Sequence, residues 1–252
     1  MICWTKDRSG TIWAGTNGYG VLKITRMRQR FHHLPDVATI YRASSSGTLA
    51  LVNADDDQWT DAKGRMATSN VNKSLVAHGL MVNPNIWCID PRSRVWASSA
   101  PRWGIKPKLT VIERSGELRF PDIVPHTLAT RSIYPGQGDE IWALAVNGPK
   151  GWNASAALLR FDTRQERLLR QYPIPFGERD WSDVASMEMD GDGSLWFVTK
   201  AGLFHLDPNT GAWEHIHHSD ADPRSIPNDR LIGICFDPRD PVHLLWIGTG
   251  GG

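Results

Sequence analysis

The chain has 252 residues, which is enough for one large domain with a substantial core. Its 28 basic and 27 acidic residues leave a formal charge of +1, so no basic field suits a nucleic-acid backbone. No apolar run approaches the length of a membrane span, and no secretion leader is visible at the N-terminus. We therefore expect no nucleic-acid partner and no membrane contact by this segment.

The residue types favour a β-rich, turn-rich chain. Twelve Trp accompany 23 Gly and 16 Pro, a mixture more typical of strands and turns than of helices. The chain has three cysteines, Cys3, Cys88 and Cys235. Because they are odd in number and far apart in sequence, they do not indicate a disulfide framework. We expect all three to be small buried residues on the first strands of repeated units.

A motif anchored on tryptophan recurs along the chain. Residues 7–16, DRSGTIWAGT, contain an acid, a Gly-containing turn, an aliphatic residue, a Trp and a β-prone run, and residues 190–199, DGDGSLWFVT, repeat this pattern. The anchor positions are Trp13, Ala50 in a degenerate copy, Trp96, Trp142, Trp196 and Trp246. Their spacing of 37 to 54 residues is close to the roughly 40–50 residues of a propeller blade.

Three flanking columns support this alignment. The residue before the anchor is always aliphatic: Ile12, Leu49, Val95, Ile141, Leu195 and Leu245. Six positions before the anchor lies a residue that favours turns: Asp7, Ser44, Asp90, Gly136 and Asp190. In the last copy a three-residue insertion follows this position, and the corresponding residue is Asp237. Three positions further back lie large apolar residues: Trp4, Tyr41, Trp87, Ile133, Met187 and Ile234. The last column is typical of the buried face of an inner strand.

The sequence therefore predicts an all-β fold, a β-propeller of four-stranded antiparallel blades. It predicts a single partial propeller over residues 1–252, with five blades and the first two strands of a sixth. The predicted blades are 2–34, 37–72, 83–122, 127–173 and 183–218, with a half blade over 228–252. We expect an open arc, since no spare N-terminal strand is left to complete the last blade. The alternative is a β-sandwich with chance internal similarity.

The motif resembles the two-component regulator propeller repeats of bacterial sensor proteins. The residues that carry the resemblance are those of 7–16, 190–196, WIGTGGG at 246–252 and the linker DPRSIPND at 222–229. The resemblance implies seven-bladed rings in the periplasm, followed in the parent protein by a membrane helix and a histidine kinase or a diguanylate cyclase. Many such proteins respond to polysaccharide fragments. The implied partners are an oligosaccharide and the further blades and signalling domains of the parent chain.

The repeated aspartates look like catalytic carboxylates, but one per blade is better explained as a turn cap that accepts backbone N–H groups. His215 and His217 alternate on one strand and could share a metal, although an outer edge strand carrying polar residues is the simpler explanation. We expect no catalytic residue, no metal site and no cofactor in this chain.

Aromatic residues outside the repeat pattern are the better site candidates. Tyr19, Trp103 and Trp152 lie between the second and third strands of their blades, and Trp181 lies in a connection between blades. Both connection types emerge at the same end of a meander, where Arg102, Lys106, Asn147, Lys150 and Asn153 accompany them. Flat aromatic faces beside amides and cations suit stacking on sugar rings. Alternatively, these side chains fold back as local cores over the blade ends.

The sequence predicts that the chain is a part of the periplasmic sensor domain of a two-component signalling protein. We expect this part to be non-catalytic itself and to bind a ligand such as an oligosaccharide or to mediate domain contacts. One alternative is a carbohydrate-active propeller enzyme, a glycoside hydrolase or a lyase, which would need two converging carboxylates. The acids available for that are Asp55, Asp56, Asp57, Asp180 and Asp183. The other alternative is a protein–protein scaffold.

Overall fold

The computed structural model describes residues 3–6, 11–15, 21–24, 31–34, 37–42, 49–53, 57–60, 66–69, 77–100, 108–113, 115–125, 128–147, 156–175, 186–237 and 240–250. The chain divides into two compact units, one formed by 1–150 with 154–173 and the other by 151–153 with 174–252. Among the described residues, no helix has the length and apolar character that crossing a membrane requires.

The described residues of the first unit form four sheets, each of four antiparallel strands that follow one another along the chain. The first sheet is formed by β1 (Cys3–Lys6), β2 (Ile12–Gly15), β3 (Val21–Ile24) and β4 (Phe31–Leu34). The second is formed by β5 (Val37–Arg42), β6 (Leu49–Asn53), β7 (Asp57–Thr60) and β8 (Met66–Ser69). The third is formed by β9 (Met81–Ile89), β10 (Val95–Ala100), β11 (Lys108–Ile112) and β12 (Leu118–Arg119), and the fourth by β13 (Leu128–Pro135), β14 (Glu140–Asn147), β15 (Ala156–Asp162) and β16 (Arg167–Pro173).

The described residues of the second unit form two sheets. The fifth sheet is formed by β17 (Ser186–Met189), β18 (Leu195–Thr199), β19 (Gly202–Leu206) and β20 (Trp213–Ile216), again as an antiparallel meander. The sixth sheet has two strands among the described residues, β21 (Leu231–Asp237) and β22 (Asp240–Thr249). Each sheet thus corresponds to one copy of the sequence motif, with the anchor on its second strand.

The strand register shows that the copies are built alike. The anchor lies opposite the residue eight positions before it in four sheets: Trp13 with Thr5, Trp96 with Cys88, Trp142 with Tyr134, and Trp196 with Glu188. Trp246 lies opposite Cys235, eleven positions before it, because the sixth copy carries the three-residue insertion. The register between the first two strands is therefore the same in four sheets, and the sixth differs from them by its insertion.

The second sheet departs from this register by one residue. Ala50 pairs with Tyr41, nine positions before it, and Leu49 pairs with Arg42. The gap-free alignment of residues 46–53 with 9–16 thus does not hold at the level of strand pairing. Side chains alternate between the two faces of a strand. A one-residue change in the connection between β5 and β6 therefore brings a different residue of β6 to the position that Trp occupies in the other copies.

Successive sheets pack face to face within each unit. In the first unit, Trp96 and Val111 of the third sheet share a buried apolar cluster with Ile133, Ala143 and Leu159 of the fourth. In the second unit, Val198 and Leu203 of the fifth sheet pack with Leu231 and Ile234 of the sixth. Four-stranded meanders that bury their faces on the next sheet are the construction of a β-propeller. The predicted all-β propeller fold is therefore confirmed.

The predicted core columns are buried in most of the copies that the structure describes. Trp87, Ile133, Met187 and Ile234, the large apolar residues of the first strands, are all buried. So are the anchors Trp13, Trp96 and Trp142, whereas Trp196 is partly buried and Trp246 is 51% exposed. Full burial of a large apolar side chain stabilises a protein by about 1.5–3 kcal/mol, so these columns supply much of the cohesion between sheets.

Candidate functional site

The six residues predicted to bind a ligand are Tyr19, Arg102, Trp103, Trp152, Asn153 and Trp181, and all lie outside the described residues. So do Lys106 and Lys150, and the acids Asp55, Asp56, Asp180 and Asp183. Asp57 is the first residue of β7. The aromatic surface therefore stays a prediction, and the described residues show what the repeated acids and their neighbours do.

Asp190 caps the turn between β17 and β18. Its Oδ1 accepts the backbone N–H groups of Asp192 at 3.0 Å and Ser194 at 2.8 Å. Its Oδ2 accepts the indole N–H of the anchor Trp196 at 3.0 Å. The predicted turn cap is thus present, and the same carboxylate also fixes the Trp ring, a contact that the sequence reading missed.

Asp90 acts in the same way, and Asp237 makes the same contact with its anchor Trp. Oδ1 of Asp90 accepts the N–H groups of Arg92 and Arg94, both at 2.9 Å, and its Oδ2 accepts the indole N–H of Trp96 at 2.9 Å. Oδ2 of Asp237 accepts the indole N–H of Trp246 at 3.3 Å. Acid and Trp recur together because one carboxylate satisfies both the tight turn and the buried indole. These acids are committed to the structure of the sheet.

The fourth sheet shows what happens without the acid. Gly136 occupies the acid position, and Nε1 of Trp142 is buried with no hydrogen-bond partner among the described residues. The ring is instead held by its faces: Arg160 lies 5.5 Å from its centroid, and Tyr172 lies 5.6 Å away. Glu140 fixes the Arg160 guanidinium through contacts of 3.0 and 2.7 Å.

A buried arginine joins the turns of two neighbouring sheets in the first unit. Arg94, in the turn before β10, donates from Nε to Asp90 at 2.8 Å. Its terminal nitrogens reach the turn between β15 and β16, where they donate to Glu166 at 2.5 Å and to the carbonyl of Thr163. The Arg94 side chain is 7% exposed. Because hydrogen bonds with charged partners are stronger than neutral ones, this contact clamps the third sheet to the fourth.

Arg119 of β12 extends the clamp to the surface. It donates to both oxygens of Glu166, at 2.9 and 2.6 Å, and to Glu113 at 2.5 Å. The hydrogen bonds from Arg119, followed by those from Arg94, hold the pKa of Glu166 at about 2. A cleft of about 490 Å³ opens beside this cluster, lined by Arg92, Arg94, Glu113, Ser115, Glu117 and Arg119.

The electrostatics of this cluster differ from those of a hydrolytic site. A glycosidase needs one carboxyl group with a raised pKa to act as a general acid beside a second carboxylate. Glu166 has its pKa shifted in the opposite direction, and its oxygens are occupied by guanidinium groups. The cluster is therefore suited to holding sheets together.

The remaining candidates have structural partners as well. Nε2 of His215 lies 2.8 Å from the carbonyl of Ala201, and its ring stacks on Phe204 with centroids 4.1 Å apart. His217 lies 5.3 Å from His215, ring to ring. Cys88 is fully buried, and burial, with a smaller contribution from Asp90, raises the pKa of its thiol well above the ordinary value. A thiol in this state is a poor nucleophile.

No family model matches the chain, and no curated protein matches it. Among solved structures, it is similar to the extracellular domain of a hybrid two component system from B. thetaiotaomicron, with a TM-score of 0.62 and 16% identity over 98% of this chain and 37% of that one. It is similar to virginiamycin B lyase from Staphylococcus aureus, with a TM-score of 0.58 and 16% identity over 98% of this chain and 76% of that one. It is also similar to the Dos1 propeller, with a TM-score of 0.51 and 10% identity over 87% of this chain and 59% of that one.

At these identities the similarity is one of fold. The chain spans a little over a third of the length of the two-component extracellular domain that it matches. The extracellular domain of a hybrid two component system is therefore among the structures that share this propeller fold, and so is a lyase.

Proposed function

We propose that the chain is a non-catalytic sensor segment from the extracytoplasmic, periplasmic part of a two-component signalling protein. The observation that carries this proposal is the match of 98% of the chain to the extracellular domain of a hybrid two component system, together with a motif of the kind found in such sensors. The output domain, a histidine kinase in this proposal, would belong to the parent protein.

The use of the carboxylates supports the non-catalytic part of the proposal. Asp90 and Asp190 are each bonded to two backbone N–H groups and one indole. Glu166 is held by two arginines. Acids whose oxygens already accept this many hydrogen bonds have little capacity left to contact a substrate.

The proposed ligand is an oligosaccharide, bound by the aromatic surface of Tyr19, Trp103, Trp152 and Trp181 with Arg102 and Asn153. Indole and phenol rings offer flat apolar faces to sugar rings, while guanidinium and amide groups bond their hydroxyls. Ligand binding would shift the populations of domain arrangements in the parent protein, and further blades and signalling domains would transmit that shift.

A double substitution tests the binding surface. Trp103→Ala with Trp152→Ala should weaken binding of oligosaccharides by about tenfold or more, because each lost aromatic contact contributes on the order of 1 kcal/mol. Isothermal titration calorimetry of the whole 252-residue chain against a panel of plant and bacterial oligosaccharides measures this effect. Circular dichroism checks that the variant keeps its β spectrum.

The matched control is Arg164→Ala, an exposed residue of the turn between β15 and β16, which should leave binding unchanged. Unchanged affinity in the folded double variant would refute the aromatic surface as the site. Failure of every sugar to bind would remove the oligosaccharide proposal as a whole.

An enzymatic function is the second candidate, because virginiamycin B lyase shares the fold. Mass spectrometry of each bound oligosaccharide after prolonged incubation separates the two. Intact sugars fit a sensor, and shortened or unsaturated products would replace the sensor proposal with a glycoside hydrolase or a lyase.

A further inference from the structure

The loop between β20 and β21, residues 218–230, is closed by its own hydrogen bonds. It lies within the second unit and contains the motif of residues 222–229. His218 begins the loop, and its backbone N–H donates to Oδ1 of Asp229 at 2.5 Å. Inside the loop, Oγ of Ser225 accepts the N–H of Ser219 at 3.0 Å and donates to its carbonyl at 3.1 Å. These contacts bring the two ends of the loop together.

The ring of His218 closes the loop a second time. Its Nδ1 lies 2.7 Å from the carbonyl of Ile226, and its Nε2 lies 3.0 Å from Oδ1 of Asp220. A carbonyl and an ionised carboxylate accept hydrogen bonds and donate none. A neutral imidazole has one N–H and can donate to only one of the two, whereas an imidazolium can donate to both. The geometry around the ring therefore fits the charged form of histidine.

The carboxylates beside His218 also favour its charged form. Asp220 lies in the same segment, and Asp229 comes from the far end of the loop. The hydrogen bond to the Ile226 carbonyl, followed by that to Asp220, raises the pKa of His218 above its ordinary value of 6.5, and a smaller effect of desolvation opposes this. The adjacent titratable residue on β20, His217, has its ring 5.3 Å from that of another histidine of the strand.

The cations of the loop have other neighbours. Nε of Arg224 lies 3.5 Å from Oδ1 of Asp222, and the side chain of Arg230 lies along the backbone of Gly250. Two carboxylates therefore act on the His218 ring, and their attraction stabilises the imidazolium.

The loop is coupled to the packing between two sheets through Ile226. Its carbonyl accepts from the His218 ring, and its side chain packs on a buried cluster to which both sheets contribute. The members of that cluster are Val198 and Leu203 of the fifth sheet and Leu231 and Ile234 of the sixth. A change at the His218 ring therefore acts on a residue that contacts both sheets.

We propose that His218 is a pH-sensitive latch on the loop between the fifth and sixth sheets. As an imidazolium it donates to Ile226 and Asp220 and holds the loop closed, and loss of one proton removes one of these two hydrogen bonds. Histidine changes charge between about pH 5 and 8, so the latch responds to pH near neutrality. The proposal is independent of the sensor function.

The direction of the response follows from the raised pKa. A histidine whose pKa rises on folding stabilises the folded form below its unfolded pKa, and this contribution is lost as the pH rises through its folded pKa. The loop should therefore be most strongly closed in mild acid, and it should loosen as the pH rises above 6.5 and through the pKa of His218.

Amide hydrogen exchange, followed by mass spectrometry on the whole 252-residue chain, measures the closure of the loop. Fragments that cover residues 218–230 are compared with those of His218→Gln at each pH, so that the intrinsic effect of pH on exchange cancels. At about pH 5.5 the unmodified loop should exchange about two- to fivefold more slowly than the variant, since exposed charged contacts contribute modestly. The difference should shrink toward about pH 8.5.

The pKa of His218 is measured separately by following its ring Cε1–H in an NMR titration, with the signal assigned by its loss in His218→Gln. Asp220→Asn keeps an acceptor oxygen but removes the charge, so it should lower the pKa of His218 toward 6.5. The Asp220 side chain is fully exposed, so this variant should fold as the unmodified chain does. Asp192→Asn, an exposed acid in the turn before β18, is the matched control and should leave the titration unchanged.

Three results would overturn the proposal. The first is a His218 ring that titrates at or below 6.5 in the unmodified chain. The second is a difference in loop exchange between the unmodified chain and His218→Gln that stays constant over the whole pH range. The third is a shift in the His218 titration that is as large in Asp192→Asn as in Asp220→Asn.

Discussion

The repeated Asp and Trp form one structural device. In the third and fifth sheets, a single carboxylate accepts two turn N–H groups and the indole N–H of the residue six positions later. The turn cap could be predicted from the sequence because Asp before a Gly-containing turn is a local pattern. The indole contact depends on the pleat and the turn geometry together, so the spacing alone did not reveal it.

Gly136 shows the limits of this device. An added Cβ at this position would lie 2.8 Å from Cβ of Glu140 and 2.9 Å from its carbonyl oxygen. We expect Gly136→Ala to destabilise the chain by about 1–3 kcal/mol through steric strain. Gly136→Asp should also destabilise it, even though it supplies the acid that Trp142 lacks. Chemical denaturation measures the free energy of unfolding.

Gly233→Ala is the matched control, since an added Cβ there meets no atom within 4 Å. Its free energy of unfolding should stay within about 0.5 kcal/mol of the unmodified chain. If Gly136→Ala kept the stability of the unmodified chain, the turn before β14 would have room for an added Cβ, which would contradict the structure.

Neighbouring sheets are joined by polar contacts as well as by apolar packing. Arg94 reaches from the turn before β10 to Glu166 and Thr163 in the turn between β15 and β16. No sequence pattern indicated this clamp, because the position two before the anchor varies freely: Thr11, Arg94, Glu140, Ser194 and Leu244. A contact made once, between elements about 70 residues apart in sequence, leaves no periodic trace.

The clamp makes stability depend on pH in a defined direction. The pKa of Glu166 is lowered from 4.5 to about 2 in the folded chain by its hydrogen bonds with arginine. A carboxyl group whose pKa falls on folding adds stability above its unfolded pKa, and this contribution is lost as the pH falls toward its folded pKa. Glu166→Gln should therefore lower the free energy of unfolding by about 1–2 kcal/mol near pH 7, since charge-assisted bonds are lost and part of their strength is screened by solvent.

The difference between Glu166→Gln and the unmodified chain should shrink as the pH falls from about 4.5 toward 2. Urea denaturation at a series of pH values measures it. Glu117→Gln, an exposed acid lining the same cleft, should show no comparable effect. A difference that is constant over the whole pH range would mean that the Glu166 charge does not hold the clamp.

The sheets themselves were largely predictable because each copy repeats apolar residues at fixed distances from the anchor. The second sheet was the exception, because Ala50 pairs with Tyr41 and not with Arg42, the residue eight positions before it. A copy without its Trp gives no marker that reveals a one-residue change in turn length. The exposure of Trp246 could not be predicted either, since its motif is the same as that of the buried anchors and its surroundings depend on neighbouring strands.

Taken together, the chain is a series of propeller sheets that use one turn-and-tryptophan device. The fold follows from this repetition, and the extracellular domain of a hybrid two component system and a lyase both share it. We propose that function comes from segments that do not repeat, such as those with Trp103 and Trp152, for which the repeat gives no template.

Double-mutant cycles at Asp90/Trp96 and Asp190/Trp196, with Asp→Ala and Trp→Phe, test whether the repeated acids are structural. The free energy of unfolding of each single and double variant gives the coupling between acid and indole. We expect about 1 kcal/mol or more of favourable coupling in both sheets, and additive effects between the two cycles because they lie in different units. Coupling near zero in both cycles would contradict this account, since it would mean that the motif carboxylates do not hold the tryptophans.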